Sequence, residues 1–332
     1  MNAVIKKQSL GQFFTKNDFW LKDHIFDFIK STKATIAFDP FAGSGDLLKA
    51  AKQIGFQKTK GFDIDKSLNW KINDSLLSVP KIKNSIIITN PPYLTNYSAK
   101  RKNIYDSVKK YFKICKYDDI YQLAIEQCLN NDFGIMIIPE TFINSKFPKH
   151  RLTSITIIED QLFDDTENPV CVICFDNKNK TYDKIKVYKN DKMLGTLGYF
   201  EKMRQTPQKN IYIKFNSPKG QIALRAVDTT NPAKPISFMK PEEIDYDLSD
   251  IKESSRLITV VELNTKKEKI EKIIKFSNDL LFDFRKKTND VLLSPFKGNK
   301  KNGERRRRLD YLTARAILES AYEMAHPNMK LL

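Results

Sequence analysis

The stretch T-I-A-F-D-P-F-A-G-S-G-D-L-L-K-A-A-K-Q-I-G, Thr35 to Gly55, decides the fold class. It begins as a short apolar strand and ends as a run of good helix formers that stops near Gly55. Between them, Gly43 and Gly45 allow a tight turn and a close approach to a ligand. Leu48 takes the place of the third glycine of a dinucleotide fingerprint. The stretch predicts strand, turn and helix, with a plain connecting turn as the alternative to a ligand site.

Strand-like and helix-like segments alternate through the first two-thirds of the chain. Five more segments are predicted as strands: Lys58–Asp65, which ends in acid, Ile86–Thr89, Phe133–Pro139, Ile155–Glu159 and Val170–Phe175. Such alternation predicts βαβ units and an α/β fold with a parallel sheet. After about Asn177 the segments become shorter, with helices predicted over Glu262–Lys287 and Arg305–Ala325. The composition therefore predicts two domains, residues 1–180 and 181–332.

Acidic residues follow the predicted strands. Asp63 and Asp65 end a strand roughly twenty residues after the glycine turn, where an acid usually binds the ribose hydroxyls of an adenosine cofactor. No lysine of the P-loop type accompanies the turn, so the cofactor is expected to lack a pyrophosphate. Asp74 is a candidate acceptor for an adenine amino group, or alternatively a helix cap or turn residue.

The stretch S-I-I-I-T-N-P-P-Y, Ser85 to Tyr93, ends a strand in an amide, two prolines and an aromatic ring. With L-G-Q-F-F-T (Leu10 to Thr15) and D-P-F-A-G-S-G before it, the chain resembles amino-group DNA adenine methyltransferases of restriction–modification systems, in the gamma arrangement. The resemblance covers about residues 9 to 177. Phe41-Ala42 departs from this arrangement and is closer to the beta one.

The resemblance implies a fold, a reaction and a set of site residues. The fold is a Rossmann-like S-adenosylmethionine-dependent methyltransferase sheet (1–180) followed by a DNA target-recognition domain (181–332). The reaction is site-specific methylation of adenine N6 on a base flipped out of duplex DNA, as in the modification enzyme of a type II system. The implied cofactor-binding residues are Gln12, Phe13, Phe14, Thr15, Asp39, Phe41, Ala42, Gly43, Gly45, Asp63, Ile64, Asp74 and Asn90. The implied catalytic residues are Asn90, Pro91, Pro92 and Tyr93, with Tyr93 and Phe175 stacking on the target base.

Elementary chemistry supports this role for the Asn90 loop. An aromatic exocyclic amine is a poor nucleophile, because its lone pair is delocalised into the ring. The Asn90 side-chain oxygen and the Pro91 carbonyl can accept both amine hydrogens and localise that lone pair, while the prolines hold the acceptors in place. This mechanism needs neither a metal nor a histidine base. The three histidines are scattered, and Cys171 and Cys174 lie in an apolar run typical of a buried strand, without a second CxxC pair.

The charge of the chain indicates its partner. Lys and Arg outnumber Asp and Glu by 57 to 40, which gives a net charge of +17 and favours a polyanion. The basic run before the last predicted helix supplies candidate contacts to the phosphates of double-stranded DNA, or alternatively a solvated loop: Lys297, Lys300, Lys301, Arg305, Arg306, Arg307 and Arg308. We find no membrane-spanning run and no signal peptide, so a cytoplasmic protein is expected. Nothing in the sequence favours a dimer over a monomer.

Three alternatives remain open at this stage. The same loop would suit methylation of two other exocyclic amines: N4 of cytosine in DNA and the amine of adenine in ribosomal RNA. A non-catalytic DNA-binding protein that has kept the fold is the third. A separate cognate restriction endonuclease is compatible with the sequence as a genetic partner.

Overall fold

A computed structural model describes residues 20–159, 168–247, 252 and 255–327. The chain divides into two compact units, Met1–Gly198 and Tyr199–Leu332. Among the described residues, no helix is long and apolar enough to cross a membrane.

The first unit alternates helices and strands. Its helices are α1 (Asp23–Thr32), α2 (Asp46–Gln53), α3 (Asn96–Arg101), α4 (Tyr105–Ile114) and α5 (Ile120–Cys128); α6 (Leu197–Met203) spans the division between the units. Its strands are β1 (Ile36–Asp39), β2 (Lys58–Asp63), β3 (Lys71–Ile72), β4 (Ser85–Thr89), β5 (Gly134–Pro139), β6 (Leu152–Ile158), β7 (Val170–Phe175), β8 (Lys186–Lys189) and β9 (Lys192–Thr196). Short 3₁₀ helices cover Glu140–Asn144 and Tyr182–Lys184.

These strands form a nine-stranded sheet in the order β3-β2-β1-β4-β5-β7-β6-β8-β9. Strands β1 to β5 run parallel, and β7 runs antiparallel to both of its neighbours. The order reverses at β1, since β2 lies on one side of it and β4 on the other. In open α/β sheets, a crevice forms outside the carboxyl ends of the strands at such a reversal. The fold therefore places a binding site beyond Asp39 and Thr89.

The central strands of the sheet are buried. All five residues of β4 and all six of β7 are buried, including Cys171 and Cys174 as predicted. Continuous apolar runs of this kind are typical of the centre of a parallel sheet. The predicted α/β class is confirmed, and the six predicted strands correspond to β1, β2, β4, β5, β6 and β7.

The first compact unit extends beyond the boundary predicted near residue 180. β8 pairs in parallel with β6, and β9 pairs with β8, so residues up to Thr196 continue the same sheet. Lys186–Lys189 and Lys192–Thr196 were not predicted as strands, because lysines interrupt their apolar alternation.

The second unit is a smaller mixed structure. Its strands are β10 (Ile213–Phe215), β11 (Ile222–Arg225), β12 (Ser237–Met239), β13 (Ile258–Leu263), β14 (Ser294–Asn299) and β15 (Arg305–Arg308). Its long helices are α7 (Lys267–Thr288) and α8 (Tyr311–Ala325), and Pro241–Glu243 forms a 3₁₀ turn. β10 to β13 form an antiparallel sheet in the order β10-β13-β11-β12, and β14 and β15 form a separate hairpin.

The prediction of a helix from Arg305 is wrong at its start. Arg305–Arg308 pairs with β14 as strand β15, and the helix begins only at Tyr311. Asp310 caps it, because its carboxylate accepts hydrogen bonds from the backbone N–H groups of Leu312 and Thr313. The helix predicted from Glu262 likewise begins later, at Lys267, since the residues before it form the buried strand β13.

Candidate active site

A cavity of about 320 Å³ lies at the carboxyl edge of β1, β2 and β4, where the strand order reverses. Many of the predicted residues line it together: Asp39, Phe41, Ala42, Gly43, Asp63, Ile64, Asp74, Asn90 and Pro92. Gln12, Phe13, Phe14 and Thr15 lie outside the described residues. The structure thus brings the residues of the glycine turn, the two strand-end acids and the Asn90 loop to one place.

Asp39 ends β1 and is 2% exposed at the base of the cavity. Its Oδ1 accepts hydrogen bonds from the Thr89 hydroxyl at 2.6 Å and from the Phe41 N–H at 2.9 Å. Burial raises the pKa of Asp39 to about 7, although these two hydrogen bonds act in the opposite direction. Near neutral pH this carboxyl group is therefore only partly ionised.

The glycine turn is held from the side by Asp63. Gly43 and Gly45 have φ angles of 51° and 81°, in the left-handed region that favours glycine. The Gly43 N–H donates to Asp63 Oδ2 at 2.8 Å, and the Asp65 N–H donates to Asp63 Oδ1 at 2.9 Å. Asp63 therefore fixes the turn as well as lining the cavity.

Trp70, which was not among the predicted site residues, supports the same turn. Its indole N–H donates to the Gly43 carbonyl at 2.8 Å. A Cβ atom on Gly45 would lie 2.7 Å from the Trp70 ring, and one on Gly61 would lie 2.5 Å from it. Both glycines are thus needed to admit the indole. Gly61 within a predicted strand was the available signal, because glycine there often marks close packing.

Asp74 lies at the far end of the cavity, where α4 forms one wall. Its Oδ2 accepts hydrogen bonds from Lys110 Nζ at 2.8 Å and from the Tyr111 hydroxyl at 3.0 Å. Asp74 is therefore an acceptor that faces the cavity, consistent with the prediction for it, and it is also bonded to α4.

The Asn90 loop leaves β4 at the centre of the sheet. Asn90 and Pro92 line the cavity, whereas Pro91 is buried. The Tyr93 hydroxyl lies within hydrogen-bond distance of Asn90 Oδ1 and, at 2.8 Å, of the Ile137 carbonyl, and its single hydrogen can be donated to either oxygen. Burial raises the pKa of the Tyr93 hydroxyl, so it remains a donor at neutral pH. An amide oxygen has two lone pairs, and Asn90 can therefore accept a second hydrogen bond while Tyr93 orients it.

The structure contradicts the stacking role predicted for Phe175. Phe175 pairs with Gly134 at the start of β5, whereas Val170 pairs with Pro139 at the carboxyl edge. Five residues of strand separate the two edges by about 17 Å. The Phe175 ring is fully buried and packs over Gly134, where a Cβ atom would lie 2.3 Å from it. Phe175 is a core residue, because β7 runs antiparallel to β5 and carries its end away from the cavity.

The basic residues of the second unit occupy three different environments. Lys297 and Lys301 are exposed, and Arg305, Arg306 and Arg308 are partly buried. Arg307 is 1% exposed, which excludes it as a surface phosphate contact in this conformation. The Lys300 side chain is 10% exposed and forms ion pairs with Glu304 and Asp228. Some residues of this basic run therefore stabilise the second unit, and others remain exposed.

The residues of the cavity fall within a match to a family of known proteins. Residues 5–165 match the model of the Eco57I restriction-modification methylase family. This match covers just under half of the chain and supports the resemblance drawn from the three motifs. No curated protein matches the chain significantly.

Solved structures with a similar arrangement include methyltransferases from bacteria and archaea. One is a putative class I S-adenosylmethionine-dependent methyltransferase from Listeria monocytogenes (15% identity, TM-score 0.38, 53% of this chain and 66% of that chain). A type I restriction-modification methyltransferase subunit from Streptococcus thermophilus has 16% identity and a TM-score of 0.38, over 58% of this chain and 52% of that chain. A putative RNA methyltransferase from Pyrococcus horikoshii has 16% identity and a TM-score of 0.34, over 52% of this chain and 90% of that chain. This chain thus spans less than two thirds of the first two proteins.

Proposed function

We propose that the chain is an S-adenosylmethionine-dependent DNA methyltransferase of a restriction–modification system that methylates the N6 amine of adenine. The observation that carries the proposal is a shared cavity: the Asn90 loop, the strand-end acids Asp39 and Asp63, and Asp74 all line it. The match to the restriction-modification methylase model supports the same reaction class.

The charge of the cavity favours this cofactor over a nucleotide with phosphates. Its described lining contains five aspartates and neither lysine nor arginine: Asp39, Asp46, Asp63, Asp65 and Asp74. Carboxylates repel a pyrophosphate and attract the ammonium and sulfonium charges of S-adenosylmethionine. Apolar side chains, among them Leu76 and Val108, supply the wall that a purine ring needs. When bound, this cofactor supplies an electrophilic methyl group.

Asn90 and the Pro91 carbonyl then act on the substrate amine. Each accepts one N–H hydrogen, and the nitrogen is drawn toward a tetrahedral geometry with its lone pair localised. Tyr93 keeps the Asn90 oxygen oriented through its hydroxyl hydrogen bond. Because a base within a duplex is out of reach, the target must be flipped, at a cost of a few kcal/mol.

The second unit offers a separate feature suited to DNA. A cavity of about 300 Å³ is lined by Arg225 and Arg306, by Phe296 and Val227, and by Asp228, whose carboxylate is paired with Arg285. Arg306 is fixed, since its Nε donates to the Asp228 carbonyl at 2.7 Å and its guanidinium lies over the Phe296 ring. Within the described parts of the chain, no carboxylate forms an ion pair with Arg225. A guanidinium without a carboxylate partner is suited to binding a phosphate.

Replacing Arg225 with glutamine is expected to weaken DNA binding about tenfold at low salt and to lower the slope of log affinity against log salt by about one. Fluorescence anisotropy with a labelled duplex, over a series of NaCl concentrations, measures both values. Lys52→Gln is the matched control, because Lys52 is an exposed cation in the first unit, at the end of α2 that is remote from the carboxyl-edge cavity of that unit. An unchanged slope for Arg225→Gln would remove this residue from the DNA surface.

Cofactor affinity is expected to rise with pH and to level off above about pH 7. Only the ionised Asp39 attracts a cationic amino-acid group, and burial holds the pKa of Asp39 at about 7 in the free protein. Binding therefore releases a proton below this pH, and affinity changes by up to about tenfold per pH unit. Isothermal titration calorimetry in buffers of different ionisation enthalpy counts that proton. Asp39→Asn should bind more weakly with a flat profile; a flat profile for the wild type would contradict this role.

The experiment that tests the proposed function compares substrates. The protein is incubated with S-adenosylmethionine labelled in its methyl group and with unmethylated bacterial genomic DNA, ribosomal RNA, or neither. Label in DNA alone supports the proposal. Label in RNA alone would favour a ribosomal RNA enzyme, and cofactor binding without transfer to either would favour a non-catalytic role.

A further inference from the structure

Helix α4 forms a wall of the first cavity, although it belongs to an insertion between β4 and β5. Ser107, Val108 and Tyr111 on α4 line the cavity. Val108 and Tyr111 also belong to a small core separate from the main one, together with Leu76, Leu94, Ala99, Ile120, Leu123 and Ala124. The helix is therefore packed in place as part of the site.

The Asp74 carboxylate also lines the cavity, and only one of its two oxygens is bonded to α4. Both of its side-chain hydrogen bonds, from Lys110 and from Tyr111, reach the same oxygen, Oδ2. Among the described residues, no hydrogen bond reaches Oδ1. A carboxylate held through one oxygen loses its rotational freedom, and its other oxygen is then presented as an acceptor in a defined direction.

Both donors to Oδ2 remain protonated near neutral pH. Burial and the nearby Asp74 charge raise the pKa of the Tyr111 hydroxyl, and the hydrogen bond to Asp74 raises the pKa of Lys110. The two contacts differ in strength. Tyr111 is 6% exposed, so its hydrogen bond is shielded from water, whereas the Lys110 side chain is 54% exposed and its ion pair is screened.

We propose that Tyr111, assisted by Lys110, is a positioning residue that fixes Asp74 so that Oδ1 accepts a hydrogen bond from the exocyclic amine of the cofactor's purine. Helix α4 thereby sets the selectivity of the cofactor site for a 6-aminopurine over a 6-oxopurine. A 6-oxopurine presents an acceptor to Oδ1, and two acceptors cannot form a hydrogen bond with each other. This inference rests on the proposed function, since it assumes that the cavity binds an adenosine cofactor.

The test is a comparison of two ligands that differ only at this position. Dissociation constants of S-adenosylhomocysteine and of its 6-oxo analogue, S-inosylhomocysteine, are measured by calorimetry for the full chain. The wild type is expected to prefer the 6-amino ligand. In Tyr111→Phe this preference should fall about tenfold, mainly through weaker binding of the 6-amino ligand, as expected for one shielded hydrogen bond to a charged group. In Lys110→Met it should fall only about twofold.

Lys113→Met is the matched control, because Lys113 is an exposed lysine on the same helix that does not contact Asp74. It should keep the wild-type preference. For the methyl-transfer reaction, Tyr111→Phe should raise the KM for the cofactor with little change in kcat. Equal weakening of both ligands in Tyr111→Phe, or an unchanged preference, would overturn the positioning role while the proposed function remained intact. A wild type that binds neither ligand would overturn both.

Discussion

Replacing Asn90 with alanine is expected to lower kcat for methyl transfer by about 10²- to 10³-fold, the range typical for loss of one preorganised polar group at a reacting atom. The variant lacks the side-chain oxygen that accepts an amine hydrogen, so the nitrogen lone pair stays delocalised. Cofactor affinity should change much less, since Asp39, Asp63 and Asp74 remain in the cavity. Single-turnover kinetics with labelled cofactor and duplex DNA measures the rate, and calorimetry measures the affinity.

Tyr93→Phe provides the graded control for this result. It keeps the aromatic ring but removes the hydroxyl that lies within hydrogen-bond distance of Asn90 Oδ1 and of the Ile137 carbonyl. Because this hydroxyl orients the amide without touching the reacting nitrogen, the expected loss in kcat is about three- to tenfold. Asn90→Ala with the wild-type rate would contradict the proposed chemistry, whatever the fold.

Replacing Arg285 with methionine is expected to destabilise the second unit by about 3–5 kcal/mol, because it removes the hydrogen-bonded cation of a buried carboxylate and leaves Lys300, at 3.8 Å, as its ion-pair partner. Asp228 is 0% exposed, and its two carboxylate oxygens accept hydrogen bonds from Arg285 at 2.9 and 3.0 Å. The same carboxylate accepts the backbone N–H groups of Ile236 and Arg307, so it also anchors β15. Urea unfolding measures the loss, and hydrogen exchange in α7 and β15 locates it.

The pH dependence of this loss follows from the pKa of Asp228. Burial alone would raise that pKa, but the hydrogen bonds and charge of Arg285 hold it below its ordinary value. A depressed pKa stabilises the fold above the unfolded pKa of the group, and this stabilisation is lost as the pH falls through the folded value. The difference between wild type and Arg285→Met should therefore shrink in acid.

Lys240→Met is the control for this prediction, since the Lys240–Glu271 ion pair lies on the exposed surface of the same unit. Its urea midpoint should equal that of the wild type. If Arg285→Met were no less stable than this control, the Asp228 network would not be the anchor of the basic hairpin.

The sequence was sufficient to predict the centre of the first sheet and most of its cavity. Central buried strands appear in a sequence as short apolar runs. Asp39 and Asn90 end or follow such runs, whereas Asp63 ends a strand that begins with exposed lysines. Because parallel strands end at the same edge of a sheet, residues that follow them meet without further information. Residues that follow parallel strands can therefore be placed at one edge without knowledge of tertiary contacts.

The prediction for Phe175 was wrong because an apolar run does not encode the direction of a strand. Val170–Phe175 has the composition of a central strand, but β7 is antiparallel, so its last residue lies at the opposite edge. Arg307 illustrates the second limit. Four consecutive arginines predict an exposed run, whereas Arg307 is buried in a strand whose backbone is bonded to Asp228, a residue distant in the sequence. Trp70 and the Asp74 contacts with α4 also depend on tertiary packing.

The central claim is methylation of an adenine amine that depends on the Asn90 loop. The most direct measurement is mass spectrometry of nucleosides from unmethylated genomic DNA that has been incubated with S-adenosylmethionine and either wild-type protein or Asn90→Ala. We predict N6-methyl-2′-deoxyadenosine with the wild type and at most trace amounts with Asn90→Ala. N4-methyl-2′-deoxycytidine as the product, or no methylated nucleoside from the wild type, would contradict the claim.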